Sequence, residues 1–301
     1  GSIVVNDRME TSVPDIYAAG DAVQVKHYVT GDDALISLAG PANKQGRIIA
    51  DNICGGDSRY LGSQGSSVIK VFDMTAATTG INETNAKKSG LEVDTVILSP
   101  MSHAGYYPGG KVMTMKVVFE KETYRLLGAQ IIGYEGVDKR IDVLATAIHA
   151  GLKATQLKDL DLAYAPPYSS AKDPVNMAGF MIDNIAKGTL KQWHLEDMDK
   201  ISRDKSVVLL DVRTVGEFNR GHMDGFKNIP VDELRERINE IEKGKPVYLI
   251  CQSGLRSYIA SRILEGNGYE TYNFSGGFRF YDAVVNDRAL IEKAYACGMD
   301  Y

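Results

Sequence analysis

The sequence is poor in cysteine, has no long apolar run and contains no block of like charge. Cys54, Cys251 and Cys297 are its only cysteines, far apart in 301 residues. Thiols so few and scattered cannot build a disulfide framework or a zinc site with closely spaced ligands, so no metal is expected. A reducing, cytoplasmic setting with free thiols is the expectation. No apolar stretch approaches the ~20 residues that a bilayer-crossing helix needs, which argues against a membrane partner. The N-terminus, Gly1-Ser2-Ile3-Val4-Val5-Asn6-Asp7, has neither the basic stretch nor the apolar core of a secretory signal. Lys and Arg number 34 against 39 Asp and Glu, a formal charge of −5 with no basic block. Such a balance argues against a nucleic-acid binder. What is present is a globular composition, 44% hydrophobic and 24% charged. At roughly 100–200 residues per domain, the length predicts two or three domains.

The chain reads as three pieces. Residues 1–56 carry short strands over 3–6 and 15–19, and then a Gly-rich stretch. Gly40-Pro41-Ala42-Asn43-Lys44-Gln45-Gly46 opens a helix to about residue 53. Pro suits the first helical turn, and Gly55-Gly56 stops the helix. Two strands and one helix bury too little surface to stand alone, so this piece is expected to be the tail of a larger domain. Residues 57–188 are expected to form an α+β layer. Its strands run over 67–73, 93–98 and a hairpin of 111–120 with 125–132, and its helices over 82–89, 138–150 and 174–187. Residues 189–301 restart the alternation, with strands over 207–211, 247–250 and 269–274 and helices over 231–241 and 257–265. That order implies a small parallel sheet with helices on both faces. The fold class expected is thus mixed, α/β and α+β in one chain.

The strongest chemical signal is Cys251-Gln252-Ser253-Gly254-Leu255-Arg256-Ser257. It follows the apolar run Val247-Tyr248-Leu249-Ile250 and precedes a helix. A cysteine there stands at the carboxyl end of a parallel strand, the edge where α/β folds bind ligands. The loop N–H groups can turn inward as an anion nest. The helix N-terminus adds partial positive charge, and Arg256 adds a full one. All three favour thiolate over thiol, which makes Cys251 a nucleophile near neutral pH. Gln252, Ser253, Gly254, Leu255 and Ser257 would form its cradle. A free cysteine is more commonly a buried structural residue; the loop composition and Arg256 weigh against that here. Four residues separate Cys251 from Arg256. Cysteine phosphatases use a loop one residue longer, wide enough for a phosphate. The shorter loop resembles that of rhodaneses, which holds one extra sulfur as a cysteine persulfide. Leu210-Asp211-Val212-Arg213, Glu217-Phe218, Gly221-His222, Asn228-Ile229-Pro230 and Gly276-Gly277 follow in rhodanese order, over about residues 194–290. Asp211, Arg213, Glu217 and His222 are expected to be scaffold, and Cys54 and Cys297 incidental.

Thr11-Ser12-Val13-Pro14-Asp15-Ile16-Tyr17-Ala18-Ala19-Gly20-Asp21-Ala22 resembles the flavin-binding segment of the pyridine nucleotide-disulfide oxidoreductases. The resemblance implies that Asp21 accepts a hydrogen bond from the ribityl chain of FAD. Gly20, with Ala22 beside it, would allow close backbone approach. The helix opening at Pro41-Ala42-Asn43 would point its N-terminus at the flavin's pyrimidine end and stabilise negative charge there. An ordinary strand and turn is the competing reading, and the length of the match weighs against it. That family binds FAD and NAD(P)H with Gly-x-Gly-x-x-Gly loops and keeps a redox-active cysteine beside the flavin. These 301 residues contain neither loop nor a match to that cysteine. The expectation is a C-terminal portion of a longer enzyme, one that alone neither holds FAD tightly nor reduces a disulfide.

Ser102-His103-Ala104-Gly105-Tyr106-Tyr107-Pro108-Gly109 and Tyr164-Ala165-Pro166-Pro167-Tyr168-Ser169-Ser170-Ala171-Lys172-Asp173-Pro174-Val175-Asn176 narrow the resemblance. Glutathione-reductase-like members carry a His-Pro and Glu proton relay here. These blocks instead resemble coenzyme A-disulfide reductase and its NADH oxidase and peroxidase relatives. In the coenzyme A enzymes two tyrosines of the dimerisation domain reach the partner's active site. Tyr106 and Tyr164 match best, with Tyr107 and Tyr168 as close alternatives. A phenol can protonate a leaving thiolate or orient a mixed disulfide; packing at an interface is the competing role, and both stay open. His103 and His149 are expected to be structural. Joined, the pieces resemble the C-terminal part of a coenzyme A-disulfide reductase fused to a rhodanese domain. The resemblance implies FAD and NAD(P)H as cofactors and a homodimer. It implies small sulfur substrates: CoA disulfide, CoA persulfide, polysulfide and thiosulfate. Two alternatives stand beside it: an NADH oxidase or peroxidase with an appended rhodanese domain, and a non-enzymatic dimerisation module that binds a sulfur carrier.

Overall fold

The computed structural model describes residues 1–296; Cys297 lies outside the described residues. The chain divides into two compact units, residues 1–95 with 117–153, and residues 96–116 with 154 onward. Among the described residues no helix is long and apolar enough to cross a membrane.

The first unit opens with β1 (Ile3–Val4), β2 (Val23–Lys26) and β3 (Asp33–Ala34), a small sheet in that order. The strand expected over 15–19 does not form. Ile16 N–H bonds back to Val13 O, and Asp15 takes φ 63, so the Val13-Pro14-Asp15 turn breaks the extended run. Val23 and Val25, both buried, carry the strand instead, with the period-2 pattern that a sheet needs. α1 (Ala39–Ile53) packs Ile48 and Ile49 against them. β4 (Ser67–Val71), β5 (Met74–Gly80), α2 (Glu83–Lys88), β6 (Val93–Leu98), β7 (Thr114–Glu120), β8 (Leu126–Gly133) and α3 (Val137–His149) follow. The five strands form one sheet in the order β4-β5-β8-β7-β6. β5 lies outside the expectation, because Met-Thr-Ala-Ala-Thr-Thr-Gly has few of the bulky residues that mark a strand. Its small residues suit its place between β4 and β8. A Cβ on Gly80 would lie 2.1 Å from Leu127 O, and φ +68 there favours glycine.

In the second unit α4 (Pro174–Ala186) starts at Asp173, whose carboxylate accepts the Val175 N–H and the Ser169 hydroxyl. The chain continues through β9 (Gln192–Trp193), α5 (Met198–Ile201), β10 (Val208–Asp211), α6 (Val215–Arg220), β11 (Lys227–Asn228), β12 (Val247–Ile250), α7 (Leu255–Glu265), β13 (Thr271–Phe274) and α8 (Gly277–Ala296). The sheet is wholly parallel, in the order β11-β10-β12-β13-β9. Leu210, Leu249 and Leu264 pack in one buried cluster, and Trp193, Ile250 and Phe274 in another. The helix expected over 231–241 is absent. Its backbone bonds mostly join residues three apart, as Leu234 N–H to Val231 O and Ile241 N–H to Ile238 O, so the segment coils as short turns. Leu234 and Ile241 still reach the core, because the spacing of 231, 234, 238 and 241 suits three residues per turn nearly as well as 3.6.

Candidate active site

β12 is the central strand, and Cys251 follows it directly. The chain passes from β10 outward to β11 and from β12 outward to β13. The crevice at the carboxyl ends of β10 and β12 is therefore the sheet's switch point, where open α/β folds bind ligands. Cys251 is 1% exposed. Its Sγ accepts the Gly254 N–H at 3.1 Å and lies 3.2 Å from the Ser257 hydroxyl. That hydroxyl is also 3.1 Å from Gly254 O, so its one proton is shared between the two acceptors. Gly254 caps α7 at φ 100, in the left-handed region that favours glycine. The same turn thus aims an N–H at the sulfur and brings the α7 N-terminus against it. Both features stabilise negative charge on sulfur.

α8 clamps the loop from behind. Phe278 N–H donates to Cys251 O at 2.8 Å, and Arg279 N–H to Gln252 O at 3.1 Å. Gly277 makes this approach possible, since a Cβ there would sit 2.7 Å from the Gln252 carbonyl carbon. Asn273 Nδ2 donates to Gly254 O at 3.1 Å.

Arg256 does not stand free beside the sulfur. Its Nη1 and Nη2 donate to the two carboxylate oxygens of Glu217, both at 2.7 Å. This bidentate pair, with Thr214 adding an N–H and an O–H, holds the Glu217 carboxyl down at about 2. Glu217 in turn raises the Arg256 value, to which the nearby Cys251 adds. Asp211 and Arg213 form a second, buried pair, with Nη2 2.7 Å from Oδ2. Arg213 also donates to Gly221 O and to Gln252 Oε1, and its guanidinium carbon lies 3.8 Å from the Phe278 ring centroid. It links β10, the end of α6, the loop and α8. His222 stacks on Phe218 and donates its Nδ1–H to Phe218 O. Ser253 is half-buried and Leu255 exposed.

The same unit holds the tyrosines. Tyr106 and Tyr164, 58 residues apart, hydrogen-bond hydroxyl to hydroxyl at 2.7 Å. They are 77% and 44% exposed. The bond to Tyr106 pushes the Tyr164 phenol above its ordinary value, so it keeps its proton further into alkali. Tyr107 packs edge-on against His103, and Tyr168 is exposed. His103 is buried, with Nδ1 beside Ser102 Oγ and Nε2–H donated to Pro108 O, a staple across the loop that carries Tyr106. In the first unit His149 stacks on Tyr28. There Gly20, at φ 79, donates its N–H to Gln45 Oε1 at 2.7 Å, which ties Gly20 to the second turn of α1. Asp21 and Ala22 are exposed, and Pro41 and Ala42 are half-buried. The first turn of α1 has no side-chain cap and no acidic residue; Asn43 Nδ2 bonds back to Ala39 O.

Residues 66–174 match the pyridine nucleotide-disulphide oxidoreductase dimerisation domain, and residues 194–283 match the rhodanese-like domain. The chain joins these two domains. In structure it is similar to reduced CoADR-RHD from Bacillus anthracis, at 47% identity and a TM-score of 0.92, covering 96% of this chain and 52% of that one. It is also similar to a NAD-dependent persulfide reductase from A. fulgidus, at 42% identity and a TM-score of 0.85, covering 93% and 51%. In sequence it is 39% identical over 182 residues to coenzyme A disulfide reductase of Staphylococcus aureus, covering 60% of this chain and 41% of that protein. The chain thus spans about half the length of these proteins, or less. The resemblance carried by the Cys251 loop and the tyrosine blocks holds.

The rhodanese-like domain also has parts that sequence reasoning missed. The clamp from Phe278, Arg279 and Asn273 came with no signal except Gly276-Gly277, which marks the close approach. In the oxidoreductase part, the residues present fit one wall of a site for FAD, the cofactor that the resemblance implies. Asp21 is exposed, the Gly20 before it bonds Gln45 of α1, and the first turn of α1 has no side-chain cap. A carboxylate accepts from the hydroxyls of a polyol chain, and N–H groups at a helix start donate to an electron-rich ring edge.

Proposed function

We propose that this chain is the C-terminal portion of a flavin-dependent coenzyme A-disulfide, persulfide or polysulfide reductase, and that its rhodanese-like domain carries sulfane sulfur on Cys251. In this reading residues 1–56 end an FAD-binding domain, residues 57–188 form the dimerisation domain and residues 189–301 the sulfur-carrying domain. One observation carries the sulfur reading: the buried Cys251 Sγ receives the Gly254 N–H at the switch point of a parallel sheet, with Ser257 Oγ at 3.2 Å. The Cys251 thiolate attacks the outer sulfur of a donor. The donor's S–S bond breaks, and the leaving group departs with the electron pair, as sulfite from thiosulfate or as a thiolate from a persulfide. The N–H, the hydroxyl and the α7 N-terminus then hold the terminal sulfur anion.

In the whole enzyme Gly20, Asp21, Ala22, Pro41, Ala42 and Asn43 would border FAD, which when bound passes electrons from NAD(P)H to the sulfur substrate. Tyr106 and Tyr164 would serve the partner subunit of a homodimer, giving a proton to the leaving coenzyme A thiolate or orienting a mixed disulfide. This chain alone would lack the reductase activity. Joining the two domains raises the concentration of one site's product at the other. A reducing cytoplasm fits, since it keeps the Cys251 thiol free. The test is mass spectrometry of the chain after thiosulfate treatment. One sulfur atom added at Cys251, and none at Cys54 or Cys297, is the expected result. Sulfur added elsewhere, or none, ends the proposal.

A further inference from the structure

The Ser257 hydroxyl carries one proton and has two acceptors within reach, Cys251 Sγ at 3.2 Å and Gly254 O at 3.1 Å. Nearly equal distances do not choose between them. The other partners of Gly254 O do. Among the described residues two further donors reach that oxygen, the Tyr258 N–H at 3.1 Å and Asn273 Nδ2 at 3.1 Å. The first is the opening bond of the α7 ladder, which the residue capping a helix always accepts. The second arrives from a neighbouring strand. Asn273 of β13 pairs in register with Leu249 of β12, and Leu249 shares a buried cluster with Ala260 and Leu264 of α7. That register puts the Asn273 side chain on the α7 side of the sheet, where its amide meets the helix start. A carbonyl oxygen has two lone pairs. With both taken, the Ser257 proton is a surplus donor at Gly254 O, and the sulfur is its remaining acceptor. Ser257 and Asn273 are 0% and 3% exposed, so solvent does not offer the hydroxyl another partner.

We propose that Asn273 is a positioning residue for Cys251, which by completing Gly254 O directs the Ser257 proton to the sulfur. The inference rests on the persulfide reading of Cys251 and adds to it a residue outside the loop. The transfer step is the one given above. Asn273 makes and breaks no covalent bond in it, and Ser257 keeps its O–H, of which only the direction is set. Without the Asn273 N–H, a lone pair on the Gly254 carbonyl stands empty in the interior, which costs free energy. The Ser257 hydroxyl then turns to the carbonyl, and the sulfur anion keeps the Gly254 N–H but loses the O–H.

The experiment follows the rate of persulfide formation from thiosulfate at Cys251, by mass spectrometry, as a function of pH. In Asn273→Ala, and in Asn273→Leu, which keeps the volume, the profile should move to higher pH by roughly one unit, the size of one hydrogen bond to the sulfur. Ser257→Ala should move it as far. In a Ser257→Ala background neither Asn273 substitution should move it further, because no hydroxyl proton is left to direct. Ser257→Thr keeps a hydroxyl and should keep the dependence on Asn273. Arg256, paired with Glu217, stands in the loop, and Arg213, paired with Asp211, and Arg279 bond to Gln252. These charges are the same in every variant, so a moved profile reads the hydrogen bonds. A purely structural Asn273 would lower the melting temperature and leave the profile in place, or would move it equally with and without the Ser257 hydroxyl. Either result overturns the inference and leaves the Cys251 reading intact. A parent chain that gains no sulfur at Cys251 overturns that reading itself.

Discussion

The Cys251 side chain is 1% exposed, whereas that of Tyr106 is 77% exposed. Their partners differ in the same way. Both hydrogen-bond partners of the cysteine sulfur, Gly254 and Ser257, come from one short stretch, and α8 and Asn273 brace that stretch. The tyrosine pair has its internal hydrogen bond and otherwise faces outward, as do Asp21 and the start of α1. One region is enclosed by its own chain. The tyrosine pair and the Asp21 segment lie open, and in the proposed reading each acts against a surface that these residues do not supply. The enclosed site can thus be tested in this chain alone, and the open one only in the assembled enzyme.

The largest effect belongs to the enclosed site. Cys251→Ser should abolish sulfur transfer from thiosulfate, because a hydroxyl is far less ionised and cannot form the persulfide. Cys54→Ser should leave transfer intact, since Cys54 is exposed at the end of α1. Transfer surviving in Cys251→Ser would erase the contrast between the two regions.

The open region is expected to respond next. In the assembled enzyme, Tyr106→Phe or Tyr164→Phe should slow disulfide or persulfide reduction by ~10²–10⁴-fold, the usual range for a general acid. Flavin reduction by NAD(P)H, followed by stopped-flow absorbance, should keep its rate. A loss below roughly tenfold in both variants would make the pair a packing contact.

How far each region was legible in the sequence follows from the distance between its parts. The Cys251 loop is contiguous, so nucleophile, glycine and helix start could be read in one line. Arg256 and Glu217 are 39 residues apart. Their pairing was invisible to spacing, and the loop's full positive charge proved to be shared with a carboxylate. Tyr106 and Tyr164 could be named only through the resemblance of two separate blocks. In the fold, β6, β7, β8, α3 and α4 announced themselves by periodicity and caps. β5 did not, because its Ala and Gly residues disfavour a strand and its Thr residues, which favour one, form no apolar alternation. The turns over 231–241 mimicked a helix because the apolar residues alone carry the pattern, and the backbone path between them is set by tertiary packing.

A smaller effect would sharpen the view of the clamp. Gly277→Ala should destabilise the chain by about 2–4 kcal/mol, from left-handed strain plus overpacking. The added methyl would meet the Gln252 carbonyl at 2.7 Å. Persulfide loading should fall with the loop's displacement. Thermal unfolding and sulfur loading measured on one preparation check both, and an unchanged melting temperature would remove α8 from the account of the site.

The smallest expected effect is electrostatic and depends on pH. Arg256 depresses the Glu217 carboxyl to about 2, against an ordinary 4.5. A carboxyl with a depressed folded value stabilises the fold fully above its unfolded value and loses that contribution as pH falls through the folded one. The Glu217–Arg256 pair should therefore contribute fully above a pH of about 4.5 and nothing below a pH of about 2. The side chains are 20% and 31% exposed, so solvent screening reduces the amount to about 1–2 kcal/mol. At neutral pH, Glu217→Gln should melt lower than the parent chain. The gap should close as the buffer is taken down across that window, because the parent loses its pair and the variant has none to lose. A gap that stays constant with pH would mean that Glu217 acts through its cap on α6, where Thr214 N–H and O–H bind it, and that its bond to Arg256 adds no stability to the enclosed site.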